Sequence, residues 1–260
     1  MIRVTVIASG STGNAILVRG GKTSVLIDAG ISAVEIESCL EQSGLLPSDL
    51  AGILVTHEHG DHTRGLKKLC RIHQLPVFAN ALTADTLKRS GLNAQWCIFL
   101  TDCAFQLGDF MVTPFPVPHD AADPVGFIIA HGKSSFAVAT DLGHVPQRII
   151  SKLQGVGGLL VESNHDLSML RADSKRPPSV KARILSHHGH LSNEAAAELV
   201  AAITSPTLRH VVLAHLSEDC NSRVLALKVM AERLKALNNH YTQVHCPNGS
   251  EPGFPFSLEI

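Results

Sequence analysis

The sequence has no Cys-x-x-Cys pair, and its six cysteines (Cys39, Cys70, Cys97, Cys103, Cys220, Cys246) lie scattered along the chain. A chain of 260 residues can bury its core without disulfides, so the thiols read as reduced, as in a cytosolic protein. Charge of one sign is also missing: 22 basic residues face 23 acidic ones, for a formal net charge of -1. No global positive field draws the molecule to nucleic acid, so any such partner must be recognised locally. No stretch approaches the roughly 18 uninterrupted apolar residues of a membrane span, which excludes a membrane partner of that kind. The first residues, Met1-Ile2-Arg3-Val4, read as a strand rather than a signal peptide. Together these absences predict a cytoplasmic protein. No linker or low-complexity tract divides the chain, and no obligate protein partner is evident, so residues 1–260 are expected to form a single domain. With 45% apolar and 17% charged residues, the composition is that of a soluble globular protein with a sizeable core.

What the chain does have is histidine. Fifteen occur, and they cluster. Residues 56–62 read Thr56-His57-Glu58-His59-Gly60-Asp61-His62, directly after the apolar run Gly52-Ile53-Leu54-Val55. Side chains two apart on an extended chain share a face, so His57 and His59 can grip one ion together. Asp61 and His62 fall where a helix is expected to begin, over 61–70, and can aim at a second ion. Two metals about 3.5–4 Å apart suit a hydrolase that must generate hydroxide and stabilise a leaving oxygen. A closed structural zinc site typically uses four Cys and His ligands, whereas this segment offers carboxylates and open positions. That favours catalysis over an inert binding module.

The expected elements alternate. Strands are predicted at 3–8, 15–18 and 24–28, then a helix opened by the capping box Ser32-Ala33-Val34-Glu35 and stopped at Gly44. Strands at 52–55 and 77–79 flank the metal-motif helix, and another helix is expected over 81–90. Later strands are expected near 111–117, 126–130, 135–140, 158–162 and 210–214, with helices near 146–153, 193–203 and 222–237. Two sheets with helices outside would give an α/β protein, a four-layer αββα sandwich of two similar halves. The Arg176-Pro177-Pro178 region reads as a long exposed loop.

The ends of the later strands supply further ligands. His119 follows Phe115-Pro116-Val117-Pro118 and can complete a set with His57 and His59; Asp141 follows 135–140, where a carboxylate can bridge two ions; His215 follows 211–214 and can join Asp61 and His62. Taken alone, each also fits an ordinary strand boundary. The Asp28-Ala29-Gly30 turn is open in the same way, between a plain turn and a carboxylate backing a ligating imidazole.

With these residues in place the chain resembles the metallo-β-lactamase superfamily, whose metal motif is His-x-His-x-Asp-His followed by later His, Asp and His ligands. The resemblance implies an αββα sandwich and a metal-dependent hydrolase holding two divalent ions, with Zn2+ favoured over Mn2+ or Fe2+. It puts His57, His59 and His119 on one ion, Asp61, His62 and His215 on the other, and Asp141 between them, with Asp61 also in the catalytic machinery. Residues 8–15, 119–126, 139–143, 162–166, 189–193 and 214–217 together resemble the WalJ-like (YycJ-like) branch, which is similar to the phosphodiesterase members of the superfamily. That resemblance implies a 5′-to-3′ exonuclease acting on double-stranded DNA. The alternatives on the same metals are a phosphodiesterase for small cyclic phosphates and a hydrolase of thioesters or lactams. The short interval between Asp141 and His215 leaves little room for an accessory domain.

Phosphodiester hydrolysis also needs a proton for the leaving alkoxide, and a histidine has a suitable pKa. The branch implies His190, in a Gly-His pair ahead of a helix marked by Ser192-Asn193-Glu194, with His188 as a weaker substitute. It departs from the branch at position 187, where an acidic residue is expected and this chain has His187, which leaves the tuning of His190 open. Candidate substrate contacts are Ser11, Thr12 and Asn14 in the small, hydroxyl-rich loop 9–14, where a tight turn is the competing reading, and Ser163, Asn164 and His165 in the segment after the strand at 158–162. The stretch 171–183 carries five positive charges against one negative and reads equally as a path for a nucleic-acid backbone and as a solvated loop.

Overall fold

The structure, a computed structural model, describes residues 1–247 and 256–260. In chain order it runs β1 (Arg3–Ala8), β2 (Ala15–Gly20), β3 (Thr23–Ile27), α1 (Ala33–Gln42), β4 (Gly52–Leu54), α2 (Gly60–Thr63), α3 (Leu66–His73), β5 (Pro76–Ala79), α4 (Ala81–Arg89), β6 (Gln95–Ile98), β7 (Phe105–Leu107) and β8 (Phe110–Pro116). It continues with β9 (Val125–His131), β10 (Ser134–Ala139), α5 (Gln147–Leu153), β11 (Gly158–Glu162), α6 (Leu167–Ala172), α7 (Pro178–Ile184), α8 (Asn193–Ile203), β12 (His210–Ala214), α9 (Arg223–Ala236), β13 (Gln243–His245) and β14 (Phe256–Glu259).

The strands form two sheets, ordered β14-β1-β2-β3-β4-β5-β6 and β13-β12-β11-β10-β9-β8-β7. Each has an antiparallel half, β1–β3 or β7–β10, leading into a parallel half, β3–β6 or β10–β13.

Strand alternation decides which residues face what, because successive side chains leave opposite faces. Val4, Val6, Ile16, Val18, Val25 and Ile27 of the first sheet meet Val112, Phe127, Ile129, Phe136, Val138, Leu160 and Val212 of the second in one core between the sheets. The intervening residues point outward into helices. Leu17, Leu26 and Ile53 pack with Ile36 and Leu40 of α1 and with Leu66 and Leu69 of α3. Ala137, Leu159, Val161, Val211 and Leu213 pack with Ile149 of α5, Ala196 and Val200 of α8 and Met230 of α9. Both faces of each sheet are therefore covered, which is why these strands read as near-continuous apolar runs. The four layers are α/β/β/α, as expected. Each fully buried Leu, Ile, Val or Phe contributes roughly 1.5–3 kcal/mol.

Three local expectations change. The helix expected over 61–70 is two helices, α2 and α3, parted at Arg64-Gly65. The Gly65 amide donates to the Ala29 carbonyl at 2.7 Å, and a Cβ at Gly65 would stand 2.4 Å from the Ile31 carbonyl oxygen. That close backbone approach turns the chain. The stretch around Pro177-Pro178 is not a long loop, because Pro178 opens α7 with its fixed φ and missing N–H at the first turn. Short edge strands β6, β7, β13 and β14 were not expected; they have three or four residues each and largely half-exposed patterns that carry little alternation. No helix among the described residues is long and apolar enough to cross a membrane.

Candidate metal centre

The site collects at one end of both sheets, beyond the carboxyl ends of parallel strands. In the second sheet Ala139 pairs with Val161, and Glu162 with Ala214. The residues that follow these strands, Asp141 and His215, therefore emerge beside Glu162. In the first sheet β4 delivers Val55-Thr56 and then the histidine segment. Asp28, Asp141 and His215 all adopt left-handed backbone, at φ 59, 58 and 54. Residues other than glycine pay for this conformation and keep it only where surrounding structure holds it. Here it swings each side chain off its strand and into the centre.

The imidazoles converge. His57 Nε2 lies 3.1 Å from His59 Nδ1, and His119 Nε2 lies 3.3 Å from the same atom. His62 Nε2 is 3.2 Å from Asp141 Oδ2 and 3.5 Å from Asp61 Oδ2, while His215 Nε2 is 3.4 Å from Asp61 Oδ2 and 3.6 Å from Asp141 Oδ1. Ligand-capable atoms of His57, His59 and His119 form one group within 4.8 Å, and those of Asp61, His62 and His215 form another. His57, His62 and Asp141 make a third group that overlaps both, which is the placement a bridging carboxylate needs.

The outer nitrogens are held from behind. His57 Nδ1 meets Thr56 Oγ1 at 3.0 Å, His62 Nδ1 meets Asp28 Oδ2 at 2.7 Å, His119 Nδ1 meets the Gly189 carbonyl at 3.2 Å and His215 Nδ1 meets Glu162 Oε1 at 3.0 Å. Thr56 secures Asp28 in turn through its amide and hydroxyl. An acceptor on Nδ1 fixes the tautomer that leaves Nε2 with a lone pair for a cation. Asp28 thus takes the second of its two sequence readings.

The buried nitrogens of His57, His59 and His119 crowd together as the ligands of a cation would. Asp141 is 2 % exposed, and its Oδ2 lies 3.2 Å from His62 Nε2 without a well-formed hydrogen bond. The donor set fits a pair of divalent ions. Burial opposes ionisation of Asp141, but the His215 and His62 charges hold its carboxyl well below the usual range. Asp61 is likewise held low against burial by hydrogen bonds from His215 and His62. Burial pushes His57 down, whereas for His62 and His215 it is outweighed by nearby carboxylates, Asp141 foremost; His215 is raised to about 10.

His190 stands at the rim, its ring centroid 5.2 Å from that of His119 and 5.3 Å from that of His215. Its Nδ1 donates to Glu162 Oε1 at 2.6 Å. Burial alone would lower its pKa, but the Glu162 charge and hydrogen bond raise it. Glu162 is fully buried and also accepts from the Leu142 and Leu191 amides. Sequence reasoning assigned it no role. The available signal was its position, a carboxylate closing the apolar strand Gly158-Leu159-Leu160-Val161 as Asp141 and His215 follow theirs. At position 187 the backbone carbonyl accepts from His144 Nδ1, and the carboxylate that meets His190 comes from β11.

The candidate substrate contacts divide. Ser11 and Thr12 are exposed on the turn after β1. Asn14 is buried and its amide braces the turn, bonding the Gly10 amide and carbonyl and reaching His62 Nε2 at 3.1 Å. Ser163 bonds Asn193, and Asn164 holds the His215 carbonyl. These three support the site from inside. His188 is exposed, and His165 is buried beside the α8 N-terminus. The basic stretch is largely engaged within the protein: Arg183 pairs with Asp120, Lys175 with Asp219, Arg176 with Asp173 and Asp219, and Lys181 reaches the Arg171 carbonyl.

Residues 23–216 match the model of the beta-lactamase superfamily domain. The chain belongs to that family. This superfamily member is 39% identical over 261 residues to exodeoxyribonuclease YycJ of Bacillus anthracis, covering 99% of this chain and 98% of the relative. It is 35% identical over 237 residues to exodeoxyribonuclease WalJ of Streptococcus pneumoniae, covering 89% and 88%. Zn(2+)-bound PqqB from Methylobacterium extorquens shares the fold over the full length of both chains, with a TM-score of 0.73 at 15% identity. The protein is a hydrolase of the metallo-β-lactamase fold, with a His and Asp cluster suited to divalent metal.

Proposed function

We propose that the protein is a di-metal phosphodiesterase, a 5′-to-3′ exonuclease of double-stranded DNA working in the cytoplasm as a single domain. The observation that carries this reading is the His190–Glu162 pair beside the ligand cluster. A thioester hydrolase on such metals releases a stable thiolate and has less need of a separate proton donor, whereas an alkoxide leaving a phosphodiester needs one. The two relatives named exodeoxyribonuclease, similar over most of the chain, support the choice of DNA.

His57, His59 and His119 would hold one ion, Asp61, His62 and His215 the other, with Asp141 between. Zn2+ is our first choice, with Mn2+ and Fe2+ acceptable to the same ligands. Bound ions would lower the pKa of water to about 7 and neutralise charge on the phosphoryl oxygens. Glu162 accepts from Nδ1 of both His190 and His215. Each ring then presents Nε2 forward. His215 turns its Nε2 toward the ligand cluster, and His190 holds a proton there for the leaving oxygen. His188, on the exposed rim, and Ser11 and Thr12, on their turn, remain candidates for contacts with DNA phosphates.

The test is a side-by-side panel of 5′-phosphorylated duplex DNA, cyclic nucleotides, bis(p-nitrophenyl) phosphate and a thioester, run on metal-analysed protein. Duplex DNA should be the preferred substrate, shortened from its 5′ ends. Thioester turnover without any phosphodiester turnover would overturn the proposal.

A further inference from the structure

Two cavities flank His190 and His119, and they differ in chemistry. One, of about 690 Å³, is lined by His119, His188, Arg148 and the prolines at 116, 118, 124 and 146. The other, of about 610 Å³, shares His144 with the first but is mainly apolar, and His190 forms part of its wall. Part of its wall is a face of α8, where Ala195, Leu199 and Ala202 recur at helical spacing with Glu198 among them. Ile150 and Leu185 also line it, Leu185 being 48% exposed. His165 adds a polar ring, 2% exposed, whose Nδ1 has no hydrogen-bond partner.

We infer that the apolar cavity receives the nucleoside at the 5′ end of the DNA, the one whose 3′ oxygen leaves. This deepens the exonuclease reading and rests on it. In a 5′-to-3′ exonuclease that releases mononucleotides, water adds its oxygen to phosphorus and the P–O3′ bond breaks. The proton from His190 Nε2 goes to O3′, and a water proton restores the histidine. The group bearing O3′ must then lie against His190, and the cavity that His190 walls is the space beside it. A deoxyribose with its base fits a volume within the usual range for small-molecule sites, about 300–1,000 Å³. The alanine and leucine surface of α8 accepts the face of any base, while His165, Ser192 and Glu198 join His144 and His190 as the polar groups of the wall. The neighbouring cavity holds Arg148 and His188 against one carboxylate, Asp123, and suits the phosphates of the continuing strand better than this one, whose wall has Glu198 and no arginine or lysine.

The experiment compares two duplexes, one with an ordinary 5′-phosphorylated terminal nucleotide and one with a 5′-phosphorylated abasic tetrahydrofuran residue there. The wild type should show kcat/KM about tenfold or more higher on the ordinary duplex, since a filled apolar pocket is lost on the other. Ala195→Phe, which fills the cavity from a half-buried helix position, should lower the ordinary duplex about tenfold and leave the abasic one within about threefold. Equal turnover of the two duplexes by a DNA-cleaving wild type overturns the pocket and leaves the exonuclease reading intact. The same holds if Ala195→Phe, with wild-type circular dichroism and metal content, slows both alike. Cleavage of neither duplex by metal-loaded wild type overturns the exonuclease reading and the pocket with it.

Discussion

At the residue scale, Glu162 accepts from two histidines, His215 within the candidate ligand cluster and His190 at its rim. Its charge raises the His190 pKa, so the protonated form persists to higher pH than in a free histidine. A step that needs protonated His190 slows as pH rises through that pKa. Glu162→Gln removes the charge, so the alkaline fall in kcat should begin at lower pH; an unmoved alkaline limb in the pH–rate profile would disprove the tuning. His190→Ala should keep two metals per chain while kcat drops about 10²- to 10⁴-fold, which metal analysis and steady-state kinetics would check together. Asp141→Ala should act differently, because it removes the carboxylate shared by both halves of the cluster. Fewer than two metals per chain after dialysis is the expected result. These roles were legible unequally. The seven-residue histidine motif is local and reads directly from the chain, whereas Glu162 reaches His190 and His215 across wide sequence separations that carry no local signature.

At the scale of elements, the loop before β2 and the loop after β3 are both clamped to the segment carrying Asp61 and His62. The Asn14 amide donates to the Asp61 carbonyl, and the Ala29 amide to the His62 carbonyl, both at 2.8 Å. A Cβ at Gly30 would stand 1.7 Å from the Asp61 carbonyl oxygen, inside any tolerable contact. Gly30→Ala should therefore destabilise the fold by about 3 kcal/mol or more, seen in denaturant unfolding, and should lower metal occupancy because the displaced backbone carries two ligands. A similarly close approach at Gly65 divides the expected single helix into α2 and α3. The sequence shows a glycine at each place, but only the packed neighbour explains why no side chain fits. The basic stretch 171–183 teaches a related lesson. Its charges read equally as a DNA path and as a solvated loop, and Lys175 and Arg176 meet Asp219 while Arg183 meets Asp120, aspartates brought in by other segments.

For the whole molecule, the centre joins the two halves, since the first sheet delivers His57, His59, Asp61 and His62 while the second delivers His119, Asp141 and His215. Ions held by both sets of residues would tie the sheets together and favour the folded state by mass action, about 2.7 kcal/mol at a free concentration one hundred times Kd. Chelation should abolish turnover and lower Tm by several degrees, and restoring the divalent ion should return both; a Tm indifferent to chelation would argue against ions that tie the sheets together.

Near-continuous apolar runs settle the central strands, because β1–β3 and β10–β12 are buried on both faces over most of their length. By itself the sequence therefore determined the layered α/β architecture and the local histidine motif at 57–62, both of which depend on residue type and local spacing, while His119, Asp141 and His215 were reached through resemblance to a family. Tertiary structure alone decided the rest. It chose which carboxylate stands behind which imidazole, broke the metal-motif helix, paired the basic stretch with acids and opened an apolar cavity beside His190. Those outcomes depend on distances between segments far apart in the chain, which packing sets and no local pattern encodes.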